Sequence, residues 1–163
     1  MSQTSVDINQ PVAVNGLLAD ASGQPKTVNT FNNPAVEIPF GRMVAKISAD
    51  DNGVDLPTDA GDLLVGIALR DYTVAEGDAT AENAYKINSA VAVLRRGQVY
   101  VEVDEAVTPD DNVFVRHTAN GGLDKLGVFR QDADTARAVA VPEAKFLTSG
   151  SAGELVIVDM NLP

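Results

Sequence analysis

The stretch NSAVAVLRRGQVYVEVDEAVTPDDNVFVRHT, residues 88–118, decides the fold. Its clearest segment alternates with a period of two: Val99, Val101 and Val103 fall on one face of an extended chain, and Tyr100, Glu102 and Asp104 fall on the other. Residues 85–94 alternate in the same sense, which puts Tyr85, Ile87, Ser89, Val91 and Val93 on one side of a strand. Arg95, Arg96 and Gly97 lie between the two and read as a corner leading into a hairpin. Downstream, residues 108–112 form a Pro-containing acidic turn and residues 113–118 a further strand. Asn120, Gly121 and Gly122 then mark a tight turn, because glycine takes positive φ without steric cost.

Toward the amino terminus, residues 63–72 read as a strand whose apolar run through Ala68 predicts burial on both faces. Before it, Met43, Ala45 and Ile47 alternate with Arg42, Val44 and Lys46 after a turn at Pro39 and Gly41. The composition of ADDNGVDLPTDAGD between them is that of a loop, and residues 73–84 are polar enough for a loop or a single helical turn. Residues 1–35 mix short apolar pieces with Gln, Asn, Ser, Gly and Pro, a pattern that suits an extended arm with at most short strands. Toward the carboxyl terminus, residues 126–131, 135–141, 145–147 and 154–159 read as short strands. In 135–141, Thr135, Arg137, Val139 and Val141 oppose three alanines. The expectation is an all-β, single-domain barrel or sandwich, with an extended arm over 1–35 and a β-rich domain over 36–163.

Length and charge narrow the function. A chain of 163 residues buries roughly 70% of its unfolded surface, which suffices for one core. Its net charge of -11 repels nucleic acid and anionic membranes, so neither is expected as a direct partner. The first residues, MSQTSVDINQP, lack a positive start and an apolar run, and nothing approaches the ~20 apolar residues that span a bilayer, so a soluble chain is expected.

Chemistry-bearing patterns are few. With no Cys and one His, a zinc site of three or four such ligands is excluded by count. His117 reads as a solvent-exposed strand-end residue rather than a general base. Asp50, Asp51, Asn52, Asp55 and Asp59 crowd one loop, but an EF-hand starting at Asp50 would need glycine where Asp55 stands and glutamate where Gly61 stands. There is no phosphate-binding glycine motif. Arg95 and Arg96 read as solvent-facing, with bidentate pairing to a partner carboxylate as the alternative. No catalytic, cofactor-binding or metal-binding residue is assigned, and no cofactor is expected.

The order of four phrases carries a resemblance: NPAVEIPFGRMVAK (33–46), VGIALRD (65–71), VAVLRRGQVYVEVDEAVTPDDNVFVR (91–116) and ARAVAVPEAKFLTSGSAGELVIVDMNLP (136–163). Together they resemble the capsid cement, or decoration, proteins of tailed bacteriophages. Pro39, Phe40 and Gly41 match the family's turn, and Arg95, Arg96, Gly97, Val99, Val101 and Val103 match its hairpin. Glu143 departs from the pattern, since a turn glycine is expected after Pro142, and a strained or altered corner is expected there. The resemblance implies a non-enzymatic virion protein on the outer capsid surface that stabilises contacts between capsomers. Its implied partners are the major capsid protein and its own copies in a homotrimer. The alternatives are another virion β-protein such as a head-fibre base or tail component, a carboxylate-based polysaccharide hydrolase, and an unrelated β-domain.

Overall fold

A computed structural model describes residues 13–19, 27–32, 34–71, 83–122 and 125–163. Most of residues 73–84, the end of the 63–72 strand at Tyr72, and much of the 1–35 segment therefore lie outside the described residues. The described residues form twelve strands: β1 (Thr27–Asn32), β2 (Ile38–Pro39), β3 (Met43–Lys46), β4 (Val54–Asp55), β5 (Leu64–Ala68), β6 (Ala84–Tyr85), β7 (Ala90–Glu102), β8 (Phe114–Arg116), β9 (Phe129–Arg130), β10 (Ala138–Ala140), β11 (Ala144–Phe146) and β12 (Leu155–Asn161). A seven-stranded sheet runs β11-β12-β7-β5-β3-β4, with β1 also paired to β7. A three-stranded sheet, β10-β8-β9, and a two-stranded one, β2-β6, complete a layered, sandwich-like all-β fold.

The predicted corner at Arg95, Arg96 and Gly97 is instead part of one 13-residue strand, β7. β12 pairs in unbroken register from Leu155↔Glu102 to Asn161↔Arg96, passing Gly97 without a turn. What the three residues produce is a β-bulge. On the β1 side, Thr27 pairs with Arg96 and Val28 with Leu94, so Arg95 is skipped.

The bulge reverses the facing of the strand. Before it, Val91 and Val93 join one buried cluster, with Ile38, Phe40, Val44, Val65 and Tyr85. After it, Val99, Val101 and Val103 join the other, with Phe129, Phe146, Val115 and Val158. A strand of strict period two would send all five valines to one face, and a one-residue slip sends the two groups to opposite faces. The large sheet is thus covered on both sides, which explains why Arg42, Met43, Val44 and Ala45 are all buried where simple alternation was expected.

Other expectations meet local turn chemistry. Residues 85–94 are not one strand: Tyr85 ends β6, Ile87 is exposed, and Asn88 takes φ +63 before β7 begins. Asn tolerates that left-handed geometry better than other non-glycine residues, so a turn forms there in spite of the alternating pattern. The strand expected over 135–141 is shortened to Ala138–Ala140, because Asp134, Thr135 and Ala136 adopt φ of +40, +54 and +66. Glu143 has no positive φ, so the corner after Pro142 is not left-handed. β5 meets expectation, with four of its five residues buried. Gly121 and Gly122 turn as expected, at φ +53 and +105.

The described parts of the first 35 residues lie against β7. β1 pairs with residues 90–96, and Leu18 bridges Val99. Tyr100 N–H donates to the Leu17 carbonyl at 2.9 Å, and Glu102 N–H donates to Asn15 Oδ1 at 3.2 Å.

Candidate interaction surface and its ionic support

Two arginines outside those singled out from the sequence are deeply buried on the small-sheet side, each against several carboxylates. Arg116 ends β8 at 0% exposure, and Arg130 ends β9 at 5%. Each directly follows a buried apolar residue, Val115 and Phe129, and is itself buried although alternation puts it on the opposite face from that neighbour. A guanidinium in that position needs carboxylates to balance its charge.

Asp104 and Glu105, just past β7, and Asp132 and Asp134, just past β9, supply them. Arg116 Nε donates to Asp104 Oδ2 at 2.7 Å, with Nη2 equally close to that oxygen, and Nη1 donates to Asp134 Oδ2 at 2.6 Å. Arg130 Nη2 lies 2.8 Å from Asp132 Oδ1 and 3.1 Å from Glu105 Oε2, while its Nη1 is 3.4 Å from Asp104 Oδ1. Asn120 Nδ2 donates to both Asp134 oxygens at 3.0 Å.

The charges shift one another accordingly. The bonds from Arg116 and Asn120 hold the Asp134 carboxyl below the usual carboxylate range. The Asp134 N–H, followed by Arg130, does the same for Asp132. Burial works against the Arg116 charge, but its bonds to Asp134 and Asp104 outweigh burial and raise its pKa. These groups hold a strained turn at residues 133–136 in place, and this turn is the most distinctive exposed feature of the small sheet. Ala133, Thr135 and Ala136 are exposed at its tip.

The residues singled out from the sequence are dispersed. His117 is buried at 6% exposure rather than solvent-facing, with Nδ1 3.0 Å from Thr118 Oγ1. Its neighbour Arg116 is drawn inward, and the N–H groups of both His117 and Thr118 donate to the Arg137 carbonyl, which folds the strand end under the next turn. Arg96 is exposed, whereas Arg95 is half-buried and donates to the Pro163 carbonyl. Asp50 accepts from Asn52 N–H at 2.9 Å, and Asp55 accepts from Leu56 N–H at 2.7 Å, as loop-closing contacts. Burial pushes the Asp55 carboxyl up, opposed by the Leu56 N–H. Among the described residues no group of three or more His, Asp or Glu side chains is placed to hold a metal ion, and no helix is long and apolar enough to cross a membrane.

The chain belongs to the structural cement protein family (E217 gp24/Pam3 gp6), whose model matches residues 2–161. It therefore has a non-enzymatic, capsid-associated structural role on the outer surface of a phage virion. A chain in the solved capsid of Myoviridae phage XM1 has the same fold, with a TM-score of 0.70 and 24% identity over 95% of each chain. None of the curated proteins matches the sequence.

Proposed function

We propose that this chain binds the major capsid protein as a homotrimer and bridges neighbouring capsomers, with residues 1–35 as the arm that reaches across. Family membership over residues 2–161 carries this reading. The arm is supported by the way its described parts are anchored. Residues 13–19 and 27–32 run along β7, so the segment before them is tethered to the longest strand of the fold. Repetition of a modest contact over a symmetric shell converts weak individual binding into stable coverage.

Two measurements test the reading. Light scattering should give three times the 17.1 kDa chain mass in solution or, if trimers form only on the shell, cryo-microscopy of decorated heads should show three copies around a common axis. Removing residues 1–12 leaves every described strand intact and should lower occupancy on phage heads. Density for the chain on a tail or head fibre, with bare capsomer junctions, would transfer the assignment to another virion component.

A further inference from the structure

The turn at residues 133–136 combines strain, exposure and rigid support in a way no other described segment does. Asp134, Thr135 and Ala136 occupy the left-handed region in succession, at φ +40, +54 and +66. That region is unfavourable for every residue with a Cβ and most of all for a β-branched one such as Thr135. Among the described residues the other non-glycine residue with positive φ is Asn88, a type that tolerates it. A glycine at 135 or 136 would adopt the same path without strain, yet the chain carries Thr and Ala.

The conformation is enforced from beneath. Asp134 is gripped by Arg116 Nη1 at 2.6 Å and by Asn120 Nδ2 at 3.0 Å, and its N–H donates to Asp132 Oδ1 at 2.8 Å. Arg137 N–H closes the turn onto the Ala133 carbonyl at 2.9 Å. The side chains left outside, Ala133, Thr135 and Ala136, are small, so another surface can approach the backbone closely. Strain of this kind persists where the surroundings over-determine it, and it concentrates at sites that must be preformed for binding. Preforming a loop removes the ordering cost that binding would otherwise carry.

We propose that this turn is a preformed contact element for the capsid shell, kept in its binding shape by the buried Arg116 clamp. The proposal rests on the capsid-binding reading above and adds to it which part of the chain makes the contact. The occupant is the capsid shell protein, whose surface can approach the backbone closely because Ala133, Thr135 and Ala136 are small and exposed.

The test uses the full chain and cement-free phage heads, with bound protein quantified after sedimentation. Thr135→Gly with Ala136→Gly should raise Tm by about 2–4 °C while weakening head binding at least about fivefold, because strain and preorganisation are lost together. Ala136→Arg keeps the fold, as circular dichroism and Tm would confirm, and should abolish binding by blocking approach. Parent-like binding by Ala136→Arg and by the double glycine variant, with the parent chain itself binding heads, would overturn the role of the turn alone. Failure of the parent chain to bind heads would instead overturn the capsid-binding reading and this inference with it.

Discussion

Arg116 Nε donates to Asp104 Oδ2 at 2.7 Å, joining the end of β8 in the small sheet to the residue that follows the bridge partner Val103 at the exit of β7. The two side chains are 0% and 5% exposed, so neither charge has bulk water as an alternative partner.

Truncating one partner of such a pair strands the other in a low-dielectric layer. Arg116→Ala should therefore lower unfolding free energy by about 3–5 kcal/mol. Arg116→Met combined with Asp104→Leu should recover much of that loss, since replacing both charges removes the desolvation cost as well. Urea unfolding of the single and double variants measures the difference. A double variant no better than Arg116→Ala would contradict this account.

Acid should loosen the small sheet first. Asp134 and Asp132 have folded pKa values below their unfolded ones, so the fold binds fewer protons than the unfolded chain there. Their stabilising contribution is fully present above the unfolded Asp value of about 3.9 and is lost as pH falls through the folded values. Asp55 acts in the opposite sense, because burial raises its folded pKa and its contribution is lost as pH rises. Tm recorded from pH 7 to pH 3 should fall on the acid side for the parent, and Asp134→Asn should flatten that limb. Amide exchange at residues 138–140 should accelerate before exchange in β7.

Gly66 on β5 sits where a Cβ would come within 2.3 Å of the Leu94 carbonyl oxygen, at φ +147. Gly121 also has positive φ, but a Cβ there meets nothing within 4 Å. Gly121→Ala should thus cost about 1–2 kcal/mol from backbone strain alone, whereas Gly66→Ala should cost about 3 kcal/mol or more, because strain and overpacking add. Similar midpoints for the two variants in chemical denaturation would refute the steric argument.

Tyr85 is buried, its hydroxyl donating to the Leu69 carbonyl at 2.8 Å and accepting from Ala92 N–H at 3.3 Å. Tyr85→Phe keeps the ring and its edge-on packing against Phe40 but leaves both backbone groups without that partner. A loss of about 1–3 kcal/mol is expected, with faster exchange of the Ala92 amide.

Local features are legible in the sequence, and those that depend on distant residues are not. Val99, Val101 and Val103 were legible because a strand lays alternate residues on one face wherever it pairs. The bulge left a trace that was misread: valines at 91 and 93 followed by 99, 101 and 103 keep odd numbering, while Leu94 interrupts with the opposite parity. Leu94 joins the cluster on the Val99 side, so the switch falls between 94 and 99, where the Arg95, Arg96 and Gly97 corner was expected. Arg116 and Arg130 escaped notice because their meaning depends on Asp104, 12 and 26 residues earlier. The only local signal was an arginine continuing the apolar runs VFV and VF where a strand would ordinarily return to water. The burial of His117 is likewise invisible locally, since it depends on Arg137 folding over the strand end.

β7 also has a mechanical meaning. At about 3.3 Å per residue its 13 residues extend for about 40 Å, with β1 bonded along its first half and β12 along its second. Tension along this strand loads the seven register pairs to β12 simultaneously, in shear, whereas a transverse pull would peel them apart one after another. A molecule anchored through the two ends of β7 resists stretching with its whole ladder at once, and the direction of attachment determines how much load each copy bears before it yields.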